Sequence, residues 1–187
     1  LDPNTIGDYN NPNIPPGTWL IIPDGKREMV SWSAPLGLTR DNPAIASEMG
    51  PGACGTIVGG LTGYGTFVWP AAKHYLSGYD YNPPIHWGID IAGNLGEGAY
   101  ASDAGVVVYA GWNKYGYGNM VMIDHGTGFQ TLYAHLNEIY VGCGQSVGQG
   151  DAIGAIGSTG KSSGAHLHFE IRTTTYFVNP WDYLPPP

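Results

Sequence analysis

The sequence predicts an all-β domain, a Gly-rich antiparallel β sandwich or barrel-like roll, from three observations. Glycine and proline together make 45 of 187 residues with no fixed period, so the chain is cut by many turns. Only two stretches longer than about a dozen residues lack both, Phe129 to Val141 and Ala165 to Asn179, and both are rich in β-branched and aromatic side chains. A hydrophobic content of 42%, with six Trp and thirteen Tyr, is enough for a substantial core. A helical bundle and a disordered tail are excluded.

Taken in order, residues 1–24 are polar and broken by Pro3, Pro12, Pro15, Pro16 and Pro23, and end in the short strand signal Thr18 to Ile22. Their text "NNPNIPPGTWLIIP" resembles the C-terminal end of a LysM module, a small peptidoglycan-glycan-binding repeat, without its front half. This implies a truncated remnant and further domains upstream of Leu1. Residues 25–52, which begin inside the charge cluster Asp24, Lys26, Arg27 and Glu28 and contain Pro35, Pro43 and Pro51, read as a connector or an ordered arm laid over the main domain. Residues 53–187 form the main domain. Strand signals recur there at Thr66–Trp69, Gly105–Ala110, Gly118–Asp124, Phe129–Leu136, Ala152–Ile156 and His166–Arg172. Asp124 to Gly128 carries the glycines of a tight hairpin connection, which makes His125 a turn residue. His74 has no positioned partner and reads as structural.

Fifteen acids against seven bases give a formal charge of −8, which argues against nucleic acid and anionic membrane surfaces as partners. No run of about eighteen apolar residues exists, so membrane insertion is not expected, and no signal peptide is read at Leu1. Cys54 and Cys143 each sit beside glycine in turn-like settings and lack a CxxC partner. Low Lys content with many Tyr and Trp fits an extracellular chain in which the two would form a disulfide; two unrelated thiols are the alternative.

Four residues stand out as chemistry: His86 and Asp90 in "HWGID", and His166 and His168 in "HLHFE". An HxH on a strand puts both imidazoles on one face, because side chains alternate with period two. His86 and Asp90 would lie roughly 13 Å apart in a regular strand, so a bend near Gly88 is predicted. Two histidines and a carboxylate leave a fourth zinc position open, the catalytic rather than the structural pattern. Spacing of this kind is weak alone, arising in about one shuffled sequence in fifteen to twenty, so the surrounding text has to decide.

That text, "HWGIDIAG", "GVVVYAGWNKYGYGNMVMIDHGTGFQTLYAHL", "GQSVGQGDAIGAIGSTGKSSGAHLHFEIR" and "VNPWDYL", resembles the lysostaphin-type (LytM-type) zinc metallopeptidase family along residues 64–184. The resemblance implies a narrow active-site groove and hydrolysis of peptide bonds in peptidoglycan stems or cross-bridges, Gly-Gly or D-Ala-linked. It implies one Zn2+ per chain, held by His86, Asp90 and His168, with His135 of "YAHL" and His166 as the catalytic histidines. These would orient a water, accept its proton and assist the leaving amine, since no HExxH supplies a glutamate base. Glu170 shares parity with His166 and His168 but lies about 7 Å further along, which suits support of a ligand better than coordination. Tyr115, Tyr117 and Tyr133 are candidates for the groove border, with packing as the alternative.

Many members of that family are noncatalytic activators of other wall hydrolases that have lost ligands, and this sequence keeps all five matched positions. The expected protein is a monomeric zinc metalloendopeptidase of the extracellular space or cell envelope, with a noncatalytic wall-binding or activator module as the alternative. Ala155 to Ser162 satisfies a relaxed phosphate-loop pattern, but a strand follows it where that motif needs a helix, so the loop is read as delivering His166 to the groove.

Overall fold

The computed structural model describes residues 34–44 and 46–187; the LysM-like segment and the first part of the connector lie outside the described residues. Ten strands follow in chain order: β1 (Ile89–Ala92), β2 (Gly98–Tyr100), β3 (Gly105–Asn113), β4 (Gly118–Asp124), β5 (Phe129–Leu136), β6 (Glu138–Ile139), β7 (Ser146–Val147), β8 (Ala152–Ala155), β9 (His166–Thr173) and β10 (Phe177–Val178). One short helix, α1 (Ala46–Met49), and a 3-10 turn at Pro180–Asp182 complete the described elements. The main sheet has the order β1-β9-β5-β4-β3-β7 with β10 also on β9, and a second sheet has the order β2-β8-β6; the pairings are antiparallel.

Alternation along the central strands sorts the core into two layers. Odd positions of β9 (Leu167, Phe169, Ile171) join Ile89, Ile91, Val121, Ile123 and Tyr133 in one cluster, which Ala99 of β2 and Ile153 of β8 close from the second sheet. On the opposite face Met120, Met122, Leu132 and Ala134 pack with Ala34, Leu38, Ala44 and Met49. Residues 34–52, apart from the undescribed Ile45, thus cover one face of the main sheet.

One reading of the sequence differs from the structure, and one site it read correctly is more deeply built than a turn requires. Thr66–Trp69 forms no strand: Phe67 and Trp69 are buried, but the segment is tied to Ser102 by a backbone bond from Val68 and a hydroxyl bond back to it rather than by a ladder. His125 sits in the β4–β5 connection yet is fully buried. Its Nδ1–H donates to the Ala104 carbonyl at 2.8 Å, so Nε2 must accept, from Thr131 Oγ1 at 2.9 Å. That leaves the Tyr133 hydroxyl to donate to Thr131 at 2.8 Å while accepting the Ser102 N–H at 2.7 Å. Burial pushes the His125 pKa down and the Tyr133 pKa up, so both stay neutral inside this one-directional chain. His74 is exposed and stacks on Trp69 at 5.0 Å.

Cys54 and Cys143 form a disulfide across 89 residues of chain, fastening the segment before the main domain's strands to the loop after β6. Replacing both by serine is expected to lower the unfolding free energy by about 2–5 kcal/mol in a urea titration. Thr131→Val, which strands both the His125 Nε2 and the Tyr133 hydroxyl, should cost about 1–3 kcal/mol in the same measurement.

Candidate metal centre

The site is built on β9 and its two neighbours. His166, His168, Glu170 and Arg172 occupy the even positions of β9 and share one face, as period two requires. Asp90 of β1 pairs directly with His168, and Ala134 of β5 pairs with it from the other side. His86 reaches the same point because the chain bends at Trp87 and Gly88 before β1 begins. Gly88 is there for space: a Cβ would stand 2.5 Å from the Phe169 carbonyl oxygen and 2.9 Å from His168 Cε1.

His135 arrives by a different device. The register of β4 and β5 runs from Val121↔Tyr133 to Asn119↔Leu136, so β5 holds one extra residue there. The bulge turns Leu136 into the core cluster of Tyr133 and leaves His135 facing the metal-site side. His135 is the one non-glycine among the described residues with positive φ, at 61°. Such a conformation costs on the order of 1–3 kcal/mol and persists only where the surroundings impose it.

Hydrogen-bond partners fix one nitrogen of each of the four imidazoles as a donor. The Nδ1–H groups of His86, His135 and His166 donate to the carbonyls of Asp80 (3.0 Å), Thr159 (2.7 Å) and Gly164 (2.9 Å). His168 is pinned through its other nitrogen, Nε2–H donating to Glu170 Oε1 at 2.9 Å. The remaining nitrogens face the cleft, and those of His86 and His168 converge with Asp90 Oδ1. His86 Nε2 lies 3.0 Å from His168 Nδ1 and 3.2 Å from Asp90 Oδ1, and His168 Nδ1 lies 2.9 Å from that oxygen. Ligand atoms about 2.0–2.1 Å from a tetrahedral zinc stand roughly 3.3–3.4 Å apart, so the three atoms have nearly the spacing of three corners of that tetrahedron.

Three donor atoms aimed at one point repel unless positive charge, a shared proton or a metal ion, sits between them, and the donor set fits Zn2+. The electrostatics agree. Burial opposes the Asp90 charge, yet hydrogen bonds from His168 and His86 hold its carboxyl well below the usual range. Burial likewise opposes charge on His168, and Asp90 and Glu170 nevertheless raise its pKa to about 9: the centre calls for positive charge. Burial, and secondly the neighbouring His168, push His135 down to about 4, leaving it neutral near pH 7.

All five sequence-derived residues line one open cleft of about 620 Å3, together with Tyr79, Ile85, Tyr115, Tyr117, Lys161, Ser162 and Ser163. The His135 and His166 rings lie 4.8 Å apart and His166 Nε2 is 3.6 Å from Asp90 Oδ1. The loop between β8 and β9 supplies both Thr159 and Gly164, so it orients both histidines as well as delivering His166. Tyr133 does not border the cleft; its ring lies in the opposite core layer. Sequence reading passed over Arg172 and Asp80. Arg172 had a signal, four polar residues at period two on one strand, whereas a backbone carbonyl such as that of Asp80 has none.

A profile of peptidase family M23 matches residues 84–180, just over half of the chain. Among curated proteins, the chain is 39% identical over 135 residues to a lipoprotein NlpD/LppB homolog of Pseudomonas aeruginosa, covering 72% of this chain and 43% of that one. It is 41% identical over 120 residues to the murein hydrolase activator NlpD of Escherichia coli, covering 64% and 31%. It is 46% identical over 108 residues to the DD-carboxypeptidase/endopeptidase Mpg of Neisseria meningitidis, covering 55% and 25%. The chain therefore spans less than half the length of these relatives. Among solved structures, lysostaphin from Staphylococcus simulans superposes with a TM-score of 0.55 at 33% identity, over 60% of this chain and 51% of that one. A zinc-containing peptidase from Vibrio cholerae gives 0.54 at 33%, over 61% and 39%. With its strand order, its cleft and its two separated histidine motifs inside the matched region, the chain belongs to peptidase family M23.

Proposed function

We propose that this chain is a zinc-dependent endopeptidase that hydrolyses peptide bonds in peptidoglycan stem peptides or cross-bridges. The observation that carries the reading is the convergence of ligand atoms in the cleft: four imidazoles, each with its outer nitrogen hydrogen-bonded, turn their inner nitrogens toward one space beside Asp90. His86 Nε2, Asp90 Oδ1 and His168 Nδ1 would hold the ion. Bound Zn2+ supplies Lewis acidity that acidifies water and polarises a carbonyl, so no serine or cysteine nucleophile is needed. His135 and His166, whose Nε2 atoms remain as acceptors, would orient the attacking water, take its proton and return it to the leaving amine. Burial keeps His135 neutral and therefore able to accept. The bulge and the β8–β9 loop hold both rings before substrate arrives, which removes an ordering cost from the reaction.

The open cleft admits an extended peptide, and relatives named for murein and for DD-endopeptidase activity support a wall peptide as its occupant. Relatives named as lipoproteins support a cell-envelope location. Among the described residues no helix is long and apolar enough to cross a membrane. A second reading, a noncatalytic activator, is favoured by the 41% identity to a protein named a murein hydrolase activator and the 39% identity to an NlpD/LppB homolog. The complete donor set favours catalysis, because an activator has no use for pinned, converging imidazoles.

Release of new amines from purified peptidoglycan and from pentaglycine should be seen with the zinc-loaded native protein. His166→Ala, with its zinc content verified, should lower the rate about 10²–10⁴-fold. Zinc bound without amine release from any wall substrate would move the assignment to the activator. Exhaustive chelation should abolish hydrolysis and Zn2+ alone restore it, whereas Asp90→Ala, having lost one of three ligands, should stay inactive and zinc-poor by elemental analysis.

A further inference from the structure

Beside His168, on the side opposite its metal-facing nitrogen, lies a buried polar cluster that the proposed chemistry does not use directly. Glu170 Oε1 accepts from His168 Nε2 at 2.9 Å and from the Tyr117 hydroxyl at 2.6 Å, and Glu170 Oε2 accepts from Arg172 Nε. The same guanidinium donates from Nη2 to the Tyr117 oxygen at 3.0 Å and from Nη1 to the Ala34 carbonyl at 3.1 Å. Glu170 and Arg172 are at most 1% exposed and Tyr117 is 6% exposed. Arg172 is held further by the Phe177 ring, 4.8 Å from its guanidinium carbon.

Glu170, Arg172 and Tyr117 each bond to the other two, so the carboxylate has no free rotation left. A carboxylate fixed in this way dictates which nitrogen of His168 keeps its proton and where the lone pair on the other nitrogen points. It also makes the ligand more basic. A loosely held carboxylate would do neither well, since the ring could tilt with it. The outer end of the cluster is a backbone carbonyl from the arm that covers the sheet, not a side chain of the metallopeptidase motifs.

We propose that Arg172 and Tyr117 are positioning residues for the metal ligand His168, acting through Glu170, with the Ala34 carbonyl as their fixed outer contact. The inference rests on the zinc reading above. Its consequence is that zinc affinity depends on a hydroxyl and a guanidinium that do not bind the ion, and on the arm being docked.

The test is the zinc dissociation constant, measured by competition with a chelating dye, for the native protein, Tyr117→Phe, Arg172→Lys and the control Tyr133→Phe. Tyr133→Phe also deletes a buried tyrosine hydroxyl, but one that belongs to the His125 chain in the other core layer. Tyr117→Phe and Arg172→Lys are expected to raise the constant about 10-fold or more, and to shift the His168 Nε2–H resonance in the zinc-loaded protein. Tyr133→Phe should lower the melting temperature and leave the constant unchanged. A folded Tyr117→Phe with native zinc affinity would overturn the proposal. If Arg172→Lys fails to fold, Tyr117→Phe decides alone, because it removes a single oxygen. A native protein that binds no zinc would overturn the metal reading itself, whereas zinc binding indifferent to Tyr117 would overturn this inference only.

Discussion

Four polar side chains stand on one face of β9, nearly sealed from water, and each must be compensated where it stands. Unpaired charge at such depth costs several kcal/mol or forces neutralisation. Arg172 and Glu170 compensate each other, Glu170 binds His168, and His168 faces Asp90 across the β1 pairing. His166 turns its proton to a loop carbonyl. Each group on the strand is thus matched to a partner, and the rest of the domain is arranged to supply the partners at its ends. The arm brings the Ala34 carbonyl to one end, and the cleft, with its convergent nitrogens, lies at the other.

The same constraint explains features that look unrelated. Gly88 exists because β1 must press so close to β9 that a methyl group would strike the Phe169 carbonyl. His135 tolerates left-handed backbone because only the bulge moves it out of the core layer to which strand parity would consign it. On the opposite layer the chain from Ser102 through Tyr133 and Thr131 to His125 solves the same problem without ionisation, each group donating once and accepting once. One layer is polarised toward a cation, whereas the hydrogen-bonded chain in the other runs through uncharged groups.

Much of the fold could be read in the residues. The antiparallel β class followed from turn density and the two long uninterrupted β-rich stretches, and strands β3, β4, β5, β8 and β9 lie close to where alternation put them. Short strands such as β2, β6, β7 and β10 could not be read, because two or three residues carry no periodicity. Thr66–Trp69 has the composition of a strand but no neighbour to complete a ladder, and composition cannot reveal a missing neighbour. His125 lies in the turn that Asp-His-Gly describes, but the burial of its ring was not legible for a related reason: it is decided by Ala104 and Thr131, distant or on the next strand.

By itself the sequence determined the types of group available: two histidine motifs, a carboxylate at a fixed offset, and strand parity that puts His166 and His168 on one face. These are local facts, set by covalent spacing and side-chain alternation. The bend near Gly88 was legible too, from the His86–Asp90 spacing; tertiary structure decided the rest of the convergence, because the Asp90–His168 pairing and the bulge at His135 depend on register between strands far apart in the chain. It alone also decided the proton positions, since the carbonyls of Asp80, Thr159 and Gly164 are main-chain groups that every residue possesses. Which carbonyl meets which imidazole is a property of packing, and no residue name encodes it.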